Sequence, residues 1–242
     1  MNAYPAATTN SFYFGGFGWS FFPTYYKYNP CTYTKRRFPI TMPAGSVVIE
    51  TTQTQSSQEE TPPDSVARRL VLLRHAESSW ENRSLRDHDR PLSKNGQADA
   101  VKVSQKLQSL GWIPELILSS DARRTRETLN IMQKEVRGFL EAEIHFLSSF
   151  YSVAAMDGQT AEHLQQAIRE YSRDEILTVM CMGHNKGWEE AASIFSGVSV
   201  ELNTCNAALL EAAGKSWEEA FALAGTGGWK LHGIVKPDDG GL

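Results

Sequence analysis

The sequence predicts an α/β domain, a three-layer αβα sandwich around a mostly parallel central sheet. Three observations predict it. From about residue 68 onward, apolar runs of strand length alternate with helical stretches, the pattern of β–α units whose helices cover both faces of a sheet. The first run, residues 70–73, is continuously apolar rather than alternating, as a strand buried on both faces requires. Several runs end directly in charged or polar residues, which collects those residues along one edge of a parallel sheet.

The elements follow in order. Residues 70–73 form a strand that runs straight into Arg74 and His75. Ser93 caps a helix to about Leu110, since its hydroxyl can accept a free backbone N–H of the first turn, and Gly111 stops that helix. Residues 116–118 are the second strand, and Asp121 caps a helix to about Phe139. Residues 144–147 are the third strand, and Thr160 caps a helix through Tyr171. Residues 176–182 are the fourth strand, followed by a helix over 188–195. Residues 207–210 and 229–235 are the last strands, with 217–223 helical between them.

Composition bounds the function. The 242 residues suit one α/β domain of ordinary size. No run of 18 apolar residues occurs, which excludes a membrane-spanning helix. With 24 basic and 28 acidic side chains, the net charge of −4 argues against a nucleic-acid binder. Cys31, Cys181 and Cys205 are widely spaced and form no CxxC pair, which argues against a disulfide scaffold and a structural zinc site and fits a reducing compartment.

The charge is uneven. Residues 1–49 carry Lys27, Lys35, Arg36 and Arg37 and no acid, which leaves −8 on the remainder. The same segment holds 13 of the 25 aromatic residues and no leucine, a poor composition for a packed core. Residues 1–45 are therefore read as a transit peptide or a disordered extension, 46–67 as a polar linker with Pro62-Pro63, 68–237 as the domain and 238–242 as a flexible tail. A transit peptide implies an organelle, with the chloroplast first; the cytoplasm is the alternative.

The chemistry sits where strands end. Arg74-His75 follow the first strand, Ser119-Ser120-Asp121 and Arg123-Arg124 the second, and Gly183-His184 the fourth. Histidine can act as a covalent nucleophile, and the planar arginine fork matches a phosphoryl group. Each residue alone also has an ordinary structural reading: a packed histidine or a surface ion pair. No acidic cluster with metal-ligand spacing and no Gly-rich phosphate loop accompanies them, so neither metal nor cofactor is expected. Arg123, Arg126 and His88 read as solvated, Trp80, Trp112 and Trp188 as core or pocket wall, and Cys181 as inert in a buried strand. Glu189-Glu190 read as a helix-start charge pair, or as groups that orient a histidine.

The motif Leu73-Arg74-His75-Ala76-Glu77 resembles the signature of the histidine phosphatase superfamily, the phosphoglycerate-mutase-like proteins, with Ala76 in place of the usual glycine. Ser119-Ser120-Asp121-Ala122-Arg123-Arg124-Thr125-Arg126-Glu127-Thr128 is similar to the family's second block, and Gly183-His184-Asn185 to the block with its second histidine. Asp87-His88-Asp89-Arg90-Pro91-Leu92-Ser93 with Gly96, Trp229-Lys230-Leu231 and Val235-Lys236-Pro237 resemble the phosphohistidine phosphatases of the SixA type.

The resemblance covers about 69–237 and implies a phosphoglycerate-mutase-like fold with His75 as nucleophile. It further implies that Arg74, Arg124 and His184 hold the phosphoryl oxygens. Arg90 either reaches the same pocket or pairs with Asp87 or Asp89; Ser78, Asn82 and Asn185 are further candidates to bind substrate. A general acid would come from Asp157 or Glu162, and neither matches the family pattern well. A weak acid suits a leaving group that departs easily, such as imidazole or a phosphoanhydride.

The expected function is a metal-independent phosphatase acting through a phosphohistidine enzyme, with phosphohistidine proteins as the first substrate class. A small-molecule phosphatase or phosphomutase is the alternative, and a non-catalytic phosphate-binding scaffold is the alternative of another class. The compact domain of about 170 residues favours a phosphatase over a mutase. The partner is thus a phosphorylated protein or small molecule, not nucleic acid or membrane.

Overall fold

The computed structural model describes residues 65–156 and 158–238. The expected transit segment 1–45, the linker up to residue 64, Asp157 and residues 239–242 lie outside the described residues. The elements are β1 (Val66–Arg74), α1 (Lys94–Ser109), β2 (Leu116–Ser120), α2 (Arg123–Glu135), α3 (Arg137–Glu141), β3 (Glu143–Leu147), α4 (Ser149–Val153), α5 (Thr160–Tyr171), β4 (Thr178–Gly183), α6 (Gly187–Ser196), β5 (Ala207–Gly214), α7 (Trp217–Ala224) and β6 (Lys230–Val235), with a 3-10 turn at Asp87–Asp89.

The strands form one sheet in the order β3-β2-β4-β1-β5-β6. β3, β2, β4 and β1 run parallel, while β5 pairs antiparallel with β1 and β6 antiparallel with β5. Successive residues of β1 point to opposite faces. Leu70 and Leu72 join a core with Leu164, Trp188 and Phe195 from α5 and α6; Val71 and Leu73 join another with Val103, Leu107, Leu129 and Met132 from α1 and α2. The continuous apolar run is thus buried on both faces, and the three-layer αβα fold is the one the sequence predicts.

Local differences have local causes. β1 begins at Val66, two residues before the expected domain start, because it pairs with Gly214 of β5. Ser93 caps α1 as expected, its Oγ accepting from Gly96 N at 2.9 Å. Asp121 does not cap α2. Ala122 holds the cap position, and the Asp121 carboxylate accepts instead from His88 Nε2 at 3.1 Å. That helix stops at Glu135 rather than near Phe139, because Val136 is extended (φ −132°) before α3 begins. Thr160 is the first residue of α5, not its cap, and its hydroxyl donates to Val153 O. Residue 238, the first of the expected tail, is tied down by Lys102 Nζ donating to Asp238 Oδ1 at 3.0 Å.

Arg68 holds the sheet to the loops below it. It is 1% exposed, and no carboxylate among the described residues pairs with it; its guanidinium donates to the carbonyls of Gly214, Asp174, Ile176 and Lys215. Replacing Arg68 with Met leaves these buried or half-buried acceptors without that donor, so stability should fall by roughly 1–3 kcal/mol. Chemical denaturation measures this, and a loss under about 1 kcal/mol would mean that water takes over the acceptors.

Candidate active site

Three parallel strand ends meet at the site. Arg74 of β1 lies opposite Gly183 of β4, and Ser119 of β2 lies opposite Met182 of β4. The chain leaving β1 is anchored at three consecutive N–H groups. Arg74 N donates to Asn206 O, His75 N to Gly183 O, and Ala76 N to Thr128 Oγ1. Thr128 in turn donates to Arg124 O at 2.7 Å, so the first turn of α2 is fixed against the histidine. Two glycines permit close approaches here. A Cβ at Gly96 would sit 2.3 Å from Glu77 O, and one at Gly183 would sit 2.2 Å from the Trp188 ring.

His75 and His184 are buried, with ring centroids 5.0 Å apart. Arg124, also buried, bridges them, donating from Nε to His75 Nε2 and from Nη2 to His184 Nδ1, each at 3.1 Å. These bonds assign the tautomers. His75 Nδ1 lies 2.7 Å from Ala76 O, which can only accept, so Nδ1 carries the proton and Nε2 the lone pair that accepts from Arg124. His184 Nδ1 accepts from Arg124, so its Nε2–H donates to Ser120 Oγ at 2.8 Å. Burial, partly offset by the Ala76 carbonyl and reinforced by Arg124 and Arg74, pushes His75 down to about 4. Burial first, then His75 and Arg124, takes His184 to about 2. Both rings are neutral at physiological pH.

A cavity of about 240 Å³ opens on His75, lined by Arg74, Glu77, Ser78, Trp80, Asp87, Arg124 and Thr204. Arg74 donates from Nη1 to Leu202 O at 2.7 Å, and its buried Nε has no hydrogen-bond partner. A larger cavity of about 400 Å³ beside α6, lined in part by Glu190, Ser193 and Val198, holds no histidine or arginine. A neutral nucleophilic nitrogen and two arginines around one cavity, with a second histidine bonded to one of those arginines, can bind a phosphoryl group and accept it covalently.

The structure brings Arg74, His75, Arg124 and His184 together, with Ser78 on the cavity wall. Arg90 is buried behind that wall. It lies 3.8 Å over the Trp80 ring and its Nε is 3.6 Å from Asp87 Oδ1, so the Asp87 pairing is the expectation that fits. Asn82 is exposed and its Oδ1 accepts from Ser84 N and Oγ, a turn contact away from the cavity lining. Asn185 does not line the cavity either, and its buried Oδ1 has no partner. Glu162 is exposed on the first turn of α5, outside the lining, and Asp157 is outside the described residues.

Arg123 points out to Glu127 at 2.7 Å, and Arg126 donates to Asp121 O. His88 is half-buried rather than solvated, bonded to Asp121 and packed edge-on against Tyr151. Glu189 accepts from Leu202 N, which steadies the segment that binds Arg74. Trp80 is an exposed cavity wall, while Trp112 and Trp188 are core. Cys181 is buried, and burial alone pushes its thiol far up.

Sequence reasoning missed Tyr151 and saw in Asp87 only a partner for Arg90, and it placed Ser120 on the rim without its bond to His184. Asp87 accepts from Arg124 twice, at its carbonyl (2.6 Å) and at Oδ2 (2.9 Å), and Oδ2 also accepts from the Tyr151 hydroxyl at 3.0 Å. Partial burial would raise the Asp87 carboxyl, but Arg124 and the Tyr151 hydrogen bond together hold it below its usual range.

The family model described as "Histidine phosphatase superfamily (branch 1)" matches residues 70–176. The chain belongs to the histidine phosphatase superfamily. It is 71% identical over 177 residues to an uncharacterized chloroplastic protein of Arabidopsis thaliana, covering 73% of this chain and 81% of that one. It is 35% identical over 65 residues to a 2,3-bisphosphoglycerate-dependent phosphoglycerate mutase of Bifidobacterium longum, covering 26% of each.

Among solved structures, it shares its fold with a protein provisionally assigned as the phosphohistidine phosphatase SixA of Agrobacterium tumefaciens. The two are 24% identical with a TM-score of 0.54, over 70% of this chain and 98% of that one. It also shares its fold with a protein histidine phosphatase SixA complexed with tungstate, at 16% identity and TM-score 0.54, over 70% of this chain and 97% of that one.

Proposed function

We propose that the protein is a phosphatase that hydrolyses phosphoryl groups through a phosphohistidine at His75 and needs no metal. The observation that carries this reading is the unprotonated Nε2 of His75, neutral and buried, hydrogen-bonded to the guanidinium of Arg124 in a cavity lined also by Arg74. The phosphoryl oxygens enter where Arg124 and Arg74 can donate to them. Their charge is neutralised by these fixed cations, the task a metal performs in other phosphatases. His75 Nε2 attacks phosphorus, the leaving group departs opposite, and water then splits the N–P bond. The Ala76 carbonyl holds the proton on Nδ1 and steadies the positive charge the ring takes on as phosphohistidine forms.

The first substrate class is phosphohistidine on proteins. The exposed Trp80 ring on the cavity wall offers a flat apolar surface to a planar leaving group such as imidazole. The acid-free basic N-terminus and the chloroplastic relative support a chloroplast location.

The experiment is turnover of an aryl phosphate in EDTA across pH 4–8, beside a phosphohistidine peptide and sugar phosphates. The attacking ring must be neutral. Its pKa of about 4 therefore predicts that kcat/KM, corrected for the second ionisation of substrate near pH 6, holds from about pH 7 to 5 and falls below that. An absolute requirement for added Mg²⁺, or a fall already complete at pH 6, would contradict the reading. Faster turnover of sugar phosphates than of the peptide would move the substrate class to small molecules.

A further inference from the structure

We propose that Asp87 is the general acid that protonates the leaving group; this rests on the phosphatase reading above. Displacement at phosphorus runs in line, so the leaving atom lies on the far side of the phosphoryl group from His75. Arg124 sets out that axis. Its Nε faces His75 Nε2, and its other end, Nη1 and Nη2, faces Asp87. A phosphoryl group seated along the guanidinium has the nucleophile at one end and the Asp87 carboxyl at the other. The two carboxyl oxygens are differently occupied. Oδ2 accepts from Arg124 and from Tyr151, while Oδ1 accepts no hydrogen bond among the described residues and has Arg90 Nε 3.6 Å away, which leaves it a lone pair for a proton.

The neighbouring acids are placed worse. Glu77, the other carboxylate of the cavity wall, is exposed and its Oε2 accepts from the capping hydroxyl of Ser93 at 2.6 Å. Asp89 is bound by Arg86, and Asp121 by His88. The Arg124 fork favours the ionised Asp87; a phosphoryl group that takes over those N–H donors removes that support and adds negative charge, and both changes favour the protonated acid.

The first proton arrives with the substrate as its monoanion and passes to Asp87 Oδ1. As the His75 Nε2–P bond forms, the P–O bond to the leaving group breaks and its electron pair takes the Oδ1 proton, giving the free alcohol and an Asp87 carboxylate. In the second half, water attacks phosphorus and the N–P electron pair returns to Nε2. Asp87 takes one proton of water and returns it to the phosphate, which leaves as the monoanion and restores the Asp87 carboxylate for the next substrate monoanion.

The test compares kcat/KM of the full chain and of Asp87→Asn on 2,4-dinitrophenyl phosphate, whose leaving group needs no proton, and on phenyl phosphate, whose leaving group does. Asp87→Asn should lose about a hundredfold or more on phenyl phosphate and only a few-fold on the dinitrophenyl ester. Asp87→Glu, which keeps a carboxyl, should restore part of the phenyl phosphate rate. Equal losses on both esters would mean that Asp87 only positions Arg124, and would overturn the proposal. Should Asp87→Asn fail to fold, the wild type alone decides. A shallow dependence on leaving-group pKa supports the acid, and a steep one overturns it. Wild type inert on both esters and unlabelled at His75 would instead end the phosphatase reading itself.

Discussion

His75→Ala should lower aryl phosphate turnover by at least about ten-thousandfold, to a residue of rate that binding alone supplies. No neighbour can replace it. His184 is not among the residues that line the cavity, and its Nε2 proton is held by Ser120, whereas His75 is part of the lining and its Nε2 carries no proton. Ser78 and Thr204 supply hydroxyls, but neither bonds to a base that would activate it among the described hydrogen bonds. The substitution also removes little packing, since the segment is anchored by backbone N–H groups rather than by the ring. Thermal unfolding should therefore stay close to wild type while kcat collapses. A loss under about a hundredfold would mean that another group carries the phosphate.

Arg124→Ala has the next largest expected effect, about 3–4 kcal/mol of transition-state stabilisation, or roughly two to three orders of magnitude in rate. One guanidinium donates to both histidines and holds Asp87, so its loss removes the phosphoryl donor and leaves the Asp87 carboxylate held only by Tyr151 and Arg90 among the described contacts. Arg124→Lys should recover only part, because a single ammonium cannot span the four acceptors. Arg123 is the control. It is exposed and engaged only with Glu127 one turn on, a pair worth a few tenths of a kcal/mol, so Arg123→Ala should leave the rate nearly unchanged. Steady-state kinetics of the three variants decides it, and equal losses at 123 and 124 would contradict the placement of the fork.

The parts of this molecule legible in its sequence are those set by short-range pattern. An unbroken apolar run marks β1, a serine three residues before a glycine marks the start of α1, and strand ends carrying Arg-His, Ser-Ser and Gly-His mark the rim of the site. Strand direction is not in that pattern. β5 and β6 read as apolar runs like the others, and only their pairing shows that they are antiparallel. The break at Val136 carries no glycine or proline to announce it. The functional group sequence reasoning missed most plainly is Asp87, which was visible only as a local partner for Arg90. Its main contacts reach across 37 residues to Arg124 and 64 to Tyr151, and no spacing rule reports contacts of that range. Asp157 and Glu162 both follow β3, whereas the two carboxyls that line the cavity, Glu77 and Asp87, come from the segment between β1 and α1.

The most direct test of the central claim is to quench the wild-type enzyme during turnover of a labelled phosphoryl donor and locate the phosphate by peptide mapping. The predicted result is stoichiometric label on His75 that survives alkali, is lost in acid, and is absent from His75→Ala. Label on a serine, on an aspartate or on His184, or turnover of wild type with no trapped phosphoenzyme under any quench, would contradict it.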